Sequence, residues 1–409
     1  MLNNNRVKIL SGIFIIALIL RLWAVFSQEE TNKLPRGDAA GYDEMAINLA
    51  SGKGLSQFIN GSLVPIAYRP PAYPVFLASV YSIFGHNYIT VKIIQAVIGS
   101  VFCILIFYIV NMIYNDIITG LIAATCIALY KPFISGFSYY GGPALLLSEY
   151  LYMFMIGLSI LTILYFIKNG NIKTGILSGI FAGLSILTRS EFVVFMGLLT
   201  IYLLHTSSLS IRNFFKKYFI MFLFIILTIS PWAVRNYVVY KEFIPLSTLG
   251  GGIFWLGNNS LANGGQSDNS TYTIEDLLNH QKDKELFKKG IEELKNNPRR
   301  IPKLFIRKIL VHWAPFENGF MLFNSFYAFI LLFGSIGILF FRKKVILENI
   351  LVLILLSTTL TAILTFGEPR YRYSYESYLV IFTALTFSEL FKKIKGNIEL
   401  FGGKKWKKT

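Results

Sequence analysis

The sequence predicts an all-α, polytopic membrane protein of about ten transmembrane helices, with amphipathic interfacial helices outside the membrane. Three observations predict it. Charged residues make up only 15% of the 409, against about 25% in an ordinary soluble chain. Hydrophobic residues reach 54%, and mean hydropathy is +0.55. The apolar residues are also blocked into runs close to the ~20 residues that cross a bilayer as a helix.

The runs fall at 8–27, 90–112, 117–134, 148–167, 174–188, 190–206, 218–234, 321–341, 346–366 and 374–391. The first sits where a signal peptide would. However, Arg21 interrupts it and no small-x-small cleavage site follows, so it is expected to remain as the first span. Residues 71–85 are apolar but short, and they follow Pro70. They are expected to form a partly buried or re-entrant helix.

An even number of crossings puts both termini on one side. The loops on that side carry Arg6 and Lys8, Lys168 and Lys173, Arg212, Lys216 and Lys217, and Arg342, Lys343 and Lys344, followed by a lysine-rich tail from Lys392. The positive-inside bias therefore places both termini in the cytoplasm. The loops 28–89 and 135–147 and the long segment 235–320 then face outward. The tail suits anchoring to anionic lipid heads.

Within the long segment, 245–270 is rich in Gly, Asn and Ser and reads as loop. Thr273 with Asp276 resembles a capping box that opens a charged helix to about Asn296. Pro298 ends that helix, and 299–313 mixes basic and apolar residues as an interfacial helix does.

Net charge is +17. In a soluble chain this would point to nucleic acid. Here the basic residues set topology, and no nucleic-acid partner is expected. Cys103 and Cys126 lie inside apolar spans without a pairing pattern. His86, His205, His280 and His312 are far apart, so no protein-held metal and no cofactor is expected. Dependence on a divalent metal stays open.

Charged groups at the ends of spans are costly and default to function. Asp38, Asp43 and Glu44 follow the first span closely. Asp38 and Tyr42 share a face if the stretch is helical, and Asp43 and Glu44 point elsewhere. The acids serve either a helix dipole or chemistry. Arg69, in Tyr68-Arg69-Pro70-Pro71-Ala72-Tyr73-Pro74, either snorkels to head groups or grips a phosphate. Glu149 is an isolated acid at the outer end of a span. Arg189 and Glu191 occupy a tight outer turn and either pair with each other or bind. Arg235 follows Pro231-Trp232 as an anchor or a phosphate ligand. In Gly367-Glu368-Pro369-Arg370-Tyr371-Arg372, two arginines flank a tyrosine where the positive-inside rule disfavours them. Arginine binds phosphate in bidentate fashion.

Taken in order, these pieces resemble the integral-membrane glycosyltransferases of the GT-C superfamily. The resemblance is to the bacterial branch related to protein O-mannosyltransferases and the lipid A aminoarabinose transferase. It rests on Gly37-Asp38 with Tyr42, on Arg69-Pro70-Pro71-Ala72-Tyr73-Pro74, on Leu147-Ser148-Glu149 and on Leu187-Thr188-Arg189-Ser190-Glu191. Pro231-Trp232 with Arg235-Asn236-Tyr237, and Trp255-Leu256-Gly257-Asn258-Asn259, complete it.

The resemblance implies a polyprenyl-phosphate-linked sugar donor and a glycan, lipid or polymer acceptor, joined on the outer face with inversion. It implies Asp38 as general base, and Arg370 and Arg372, with Arg69 or Arg235, on the leaving phosphate. Tyr42 and Glu149 would position sugar or acceptor. A covering loop would supply Asn258 and Asn259 to the sugar. Asp43, Arg189, Glu368 and Tyr371 complete the expected substrate-binding set. Ala39 stands where many relatives carry a second acid, which leaves either a one-carboxylate site or one completed by Glu149.

On this reading, 1–235 is the catalytic membrane module, 236–320 the outer loop and interfacial helices, 321–391 the last spans and 392–409 a basic cytoplasmic tail. The alternatives are a wall-polysaccharide polymerase or ligase, and a flippase or transporter of lipid-linked sugars. A transporter would carry charges in the middle of its spans, whereas here they gather at the outer ends.

The topology has a direct check. A fluorescent protein fused after Thr409 should fold and fluoresce in the cytoplasm, while alkaline phosphatase fused there should be inactive. The reverse pattern would invert the assignment.

Overall fold

The computed structural model describes residues 2–27, 34–136, 142–207, 209–266, 280–317 and 322–402. Helix makes up 78% of it, so the all-α class holds. Each predicted span coincides with a helix. Those helices are α1 (Leu2–Phe26), α4 (Tyr88–Tyr114), α5 (Ile117–Leu129) continued by α6 (Lys131–Ser135), α7 (Glu149–Asn169), α8 (Ile172–Thr188), α9 (Phe192–Thr206), α10 (Ile211–Tyr240), α14 (Ser325–Ile336), α15 (Ile346–Leu364) and α17 (Glu376–Gly402). Among the described residues, five of these are long and apolar enough to cross a membrane unaided: α1, α4, α7, α10 and α15. The chain is a multi-pass membrane protein.

Inside lipid, apolar burial does not favour helix association, so close packing and interhelical polar contacts must hold the bundle. Two features supply this. Gly175, Gly179 and Gly183 form a small-residue stripe on α8, and a Cβ at any of them would lie 2.5–2.6 Å from α10. The other feature is Arg21, which is fully buried in α1. Helix α5 stops at Tyr130, which is extended, and its last carbonyls need donors. Arg21 supplies them: its guanidinium donates to the oxygens of Ala17, Ile127 and Ala128 at 3.1, 3.3 and 3.4 Å. Its Nε also reaches the Tyr150 hydroxyl on α7 at 3.2 Å. One cation thus ties α1, α5 and α7 together.

Between α1 and α4 the chain builds a small platform. It consists of α2 (Asp38–Ala50), a hairpin of β1 (Ser56–Ile59) and β2 (Ser62–Pro65), and α3 (Ala72–Phe84), the short helix expected at 71–85. The hairpin departs from a purely helical reading. Asn60-Gly61, with φ of 48° and 79°, makes its turn, and Asn-Gly favours this conformation. Two acids hold the platform together. Asp43 accepts from the hydroxyls of Tyr81 and Tyr88 at 2.6 and 2.9 Å and lies 2.9 Å from His86 Nε2. Glu44 accepts from the Phe58 amide at 2.7 Å.

The long segment departs from expectation in one respect. Residues 250–258 are not loop but a helix, α11 (Gly250–Asn258). Its glycines permit contact rather than a turn. A Cβ on Gly251 would sit 1.9 Å from the Asp283 oxygen, and one on Gly257 would sit 1.7 Å from the Thr365 oxygen. The charged helix follows as α12 (His280–Asn296); its proposed cap, Thr273 with Asp276, lies outside the described residues. The interfacial helix is α13 (Ile301–Trp313). A single turn, α16 (Pro369–Arg372), joins α15 to α17. Helix α10 runs on to Tyr240, past the expected end of its span at 234, with Pro231 inside it.

The Arg21 contacts make a prediction. Arg21→Met leaves the carbonyls of Ile127 and Ala128 without a donor, and each unmet buried group costs about 1–3 kcal/mol. Thermal unfolding in detergent should show a Tm several degrees lower. An unchanged Tm would remove Arg21 from the frame.

Candidate active site at one end of the bundle

Helix α7 begins with Glu149, α8 ends before Arg189, α2 begins with Asp38, and α16 carries Arg370. All four meet at one end of the bundle. Gly37 makes the entry to α2 possible: its φ of +53° is a conformation that side chains disfavour. The carboxylate of Asp38 therefore starts a helix, where the dipole favours it. Its oxygens nevertheless go to distant guanidiniums. Oδ1 accepts from Arg69 Nη2 at 2.5 Å, and Oδ2 accepts from Arg370 Nη1 at 2.7 Å.

The network continues inward. Arg370 Nε donates to Glu149 Oε1 at 2.5 Å. Arg189 lies 3.3 Å from both Glu149 Oε1 and Glu191 Oε1. Arg69 also donates to the Tyr42 hydroxyl at 3.3 Å and stacks over that ring at 4.6 Å. Three acids and three arginines thus alternate in one network. Asp38 is its most exposed side chain at 38%, followed by Arg370 at 26%, and Glu149 is its most buried at 1%. Asp38 is the member a ligand meets first.

All of these groups except Glu149, which is buried behind Arg370 and Arg189, line a cavity of about 840 Å³. Asp38, Tyr42, Arg69, Arg189, Arg370 and Tyr371 all contribute to its wall. Helix α11 covers it with Gly250, Ile253 and Leu256, and Gln266 adds a polar group. Burial would raise the Asp38 carboxyl, but the Arg69 and Arg370 guanidiniums override it and hold the group at about 2. Because the folded value is below the ordinary one, the ion pairs contribute fully at neutral pH. That contribution is lost only as pH falls from about 4 toward 2. In return, against the opposing effect of burial, Tyr42 and then Asp38 hold Arg69, and Glu149 and Asp38 hold Arg370, well above the ordinary arginine value. Among the described residues, no three His, Cys, Asp or Glu side chains gather to hold a metal.

Comparison with known proteins decides the fold. A family model for dolichyl-phosphate-mannose-protein mannosyltransferases matches residues 68–234, which include Arg69, Glu149 and Arg189. The oligosaccharyltransferase AglB of the archaeon Archaeoglobus fulgidus, solved with an inhibitory peptide and a dolichol-phosphate, superposes with a TM-score of 0.58 at 14% identity, covering 99% of this chain and 52% of its own. The Archaeoglobus fulgidus oligosaccharyltransferase tethered to an acceptor peptide gives 0.61 at 13% identity, with 97% and 50% covered. The chain has the GT-C fold.

It spans about half the length of these archaeal structures. ArnT of Cupriavidus metallidurans, solved with undecaprenyl phosphate, gives a TM-score of 0.43 at 13% identity, over 97% of this chain and 78% of its own. None of the curated proteins matches the chain.

In this GT-C fold, some residues expected at the site lie elsewhere. Asp43 does not line the cavity, because its oxygens are occupied by the Tyr81, His86 and Tyr88 cluster. Arg235 is turned onto the platform, donating to the oxygens of Ile66 and Leu55 at 2.8 and 2.7 Å. Asn258 faces away from the cavity: its amide donates to Phe254 and Leu364 oxygens, and its Oδ1 accepts from Lys308 at 2.8 Å. Asn259 is buried and accepts from the Leu261 amide. Arg372 is fully buried, pairs with Glu376 at 3.1 Å and stacks 3.8 Å from the Tyr327 ring centre. It braces α13 through the His312 oxygen instead of facing a ligand. Glu368 contributes nothing to the cavity wall.

Sequence reasoning missed other lining groups. Thr361 on α15 and Thr365, just past its end, present hydroxyl-bearing side chains to the cavity. Their i,i+4 spacing in an apolar span was the available signal. Buried Lys308 was read only as part of an interfacial pattern. Instead its ammonium joins α11 to α15 through Asn258 and the Ile363 oxygen.

The contrast in exposure between Asp38 and Glu149 predicts unequal costs. Breaking a buried ion pair costs about 3–5 kcal/mol, whereas exposed pairs contribute about 0–1 kcal/mol. Glu149→Gln, which weakens the hold on both Arg370 and Arg189, should therefore lower Tm in detergent more than Asp38→Asn does. The opposite order would show that the network is not anchored at its buried acid, Glu149.

Proposed function

We propose that this chain is a membrane glycosyltransferase that moves a sugar from a polyprenyl-phosphate-linked donor to an acceptor on the outer face of the membrane. The observation that carries it is a carboxylate on the wall of a large cavity that accepts from two guanidiniums, at 2.5 and 2.7 Å. The GT-C fold, shared with an enzyme solved with dolichol-phosphate, supports a lipid phosphate as the donor's leaving group. The positive-inside bias supports the outward placement.

In the reaction, Asp38 takes the proton of an acceptor hydroxyl or amine. The freed electron pair attacks the anomeric carbon from the face opposite the phosphate. The bond from that carbon to the phosphate oxygen breaks, and its electrons pass to the leaving polyprenyl phosphate. Configuration inverts. Arg69 and Arg370 stabilise the developing charge, as preorganised donors do in a site shielded from water. Arg189 and Glu149 hold Arg370 from behind. Tyr42 orients Arg69 through its ring and hydroxyl. No step needs a metal held by these side chains. A wall-polysaccharide polymerase or ligase would share this donor chemistry, differing only in the acceptor.

The test uses a strain that lacks the protein. Mass spectrometry of its lipid extract should show one polyprenyl-phosphate sugar accumulating. The wild-type chain should clear it. Asp38→Asn should not, because a general base contributes about 10²–10⁴-fold. Clearance by Asp38→Asn at the wild-type rate would reject Asp38 as the base.

A further inference from the structure

The network poses a problem for this reaction. A carboxylate clamped by two guanidiniums is a poor proton acceptor, since general bases act best when their pKa lies near the working pH. The same clamp leaves the arginines little attraction for a phosphate. Asp38, Glu149 and Glu191 balance Arg69, Arg189 and Arg370 charge for charge. As built, both the base and the phosphate grip are switched off by each other.

Resting on the lipid-phosphate reading above, we propose that donor binding and base activation are a single exchange. The donor's phosphate displaces the Asp38 carboxylate from Arg69 and Arg370, and the carboxylate so released becomes the base.

Three observations carry this. First, Asp38 is the most exposed of the charges, and its side chain is far more open than those of Glu149 and Glu191, so it is the carboxylate a ligand displaces most easily. Second, Arg370 is held separately. Its Nε stays on Glu149 Oε1, which is buried, while only Nη1 serves Asp38. When Asp38 leaves, Arg370 keeps its place and presents a free edge. Third, Arg69 has capacity in reserve: its buried Nε has no hydrogen-bond partner among the described residues. The Tyr42 hydroxyl and ring hold its plane in position meanwhile.

The exchange also balances in charge. A polyprenyl-phosphate sugar is a phosphodiester with one negative charge, and it replaces one carboxylate. As the sugar leaves, the phosphate gains a second negative charge beside the two guanidiniums. At the same moment Asp38 becomes neutral by taking the acceptor's proton. Until a donor arrives, the base stays quenched, so the empty site has no strong base with which to activate water.

The test measures binding of undecaprenyl phosphate to the full-length protein in phosphatidylcholine nanodiscs, with undecaprenol as the uncharged control. Asp38→Asn removes the competing charge and keeps the shape, and Asp38→Ala removes both. Each should bind undecaprenyl phosphate about tenfold more tightly than wild type, or better. Asp38→Glu keeps the charge and should stay within about threefold of wild type. Equal or weaker phosphate-dependent binding by both neutral variants overturns the exchange and leaves the donor reading standing. If undecaprenyl phosphate and undecaprenol bind alike in every variant, the donor reading falls, and the exchange with it.

Discussion

Everything at the candidate site depends on the sharing of Arg370 between Glu149 and Asp38. The guanidinium spans a buried acid at the start of α7 and an exposed acid at the start of α2. Two charges removed from water need good geometry to offset their desolvation. Here the geometry comes from the helices. The start of α7 fixes Glu149, the single turn of α16 fixes Arg370, and the platform carrying α2 must then seat Asp38 against it. The clusters around Asp43 and Glu44 keep that platform rigid. The polar contacts outside the site therefore act on the site by holding its parts in register.

This arrangement also separates an acid that braces the platform from an acid that lines the cavity. Asp43 is enclosed by two tyrosines and a histidine and cannot reach the cavity. Asp38, five residues earlier, lies on the cavity wall. Arg370 and Arg372 divide in the same way, one toward the cavity and one into the core beneath Tyr327. A turn of helix separates neighbours in sequence onto different faces, so each pair splits between structure and ligand.

Much of this was legible in the sequence. Hydropathy alone located each long apolar helix, five of which are long enough to cross a membrane unaided, because a bilayer allows little else. The acid at 38 and the arginines at 69 and 370 stood out as charges a membrane protein does not need for topology. What stayed hidden was pairing across long separations. Asp38 and Arg370 are 332 residues apart, and no local pattern links them. Nor does spacing decide whether Arg370 or Arg372 faces the cavity. The glycines from 250 to 257 misled for a related reason. Glycine marks loops in sequence, but here it marks helices packed so closely that a methyl group would collide. Asn258 and Asn259, read as sugar ligands on that supposed loop, instead bind the protein's own backbone and Lys308.

The central claim is that the seat now held by the Asp38 carboxylate is the seat of the donor's phosphate. An electron cryo-microscopy structure of the protein in nanodiscs with undecaprenyl phosphate tests it most directly. The account predicts phosphate density between the guanidiniums of Arg69 and Arg370, with the Asp38 carboxylate moved off both and Arg370 still joined to Glu149. Phosphate bound elsewhere, with the two Asp38 ion pairs intact, would contradict it.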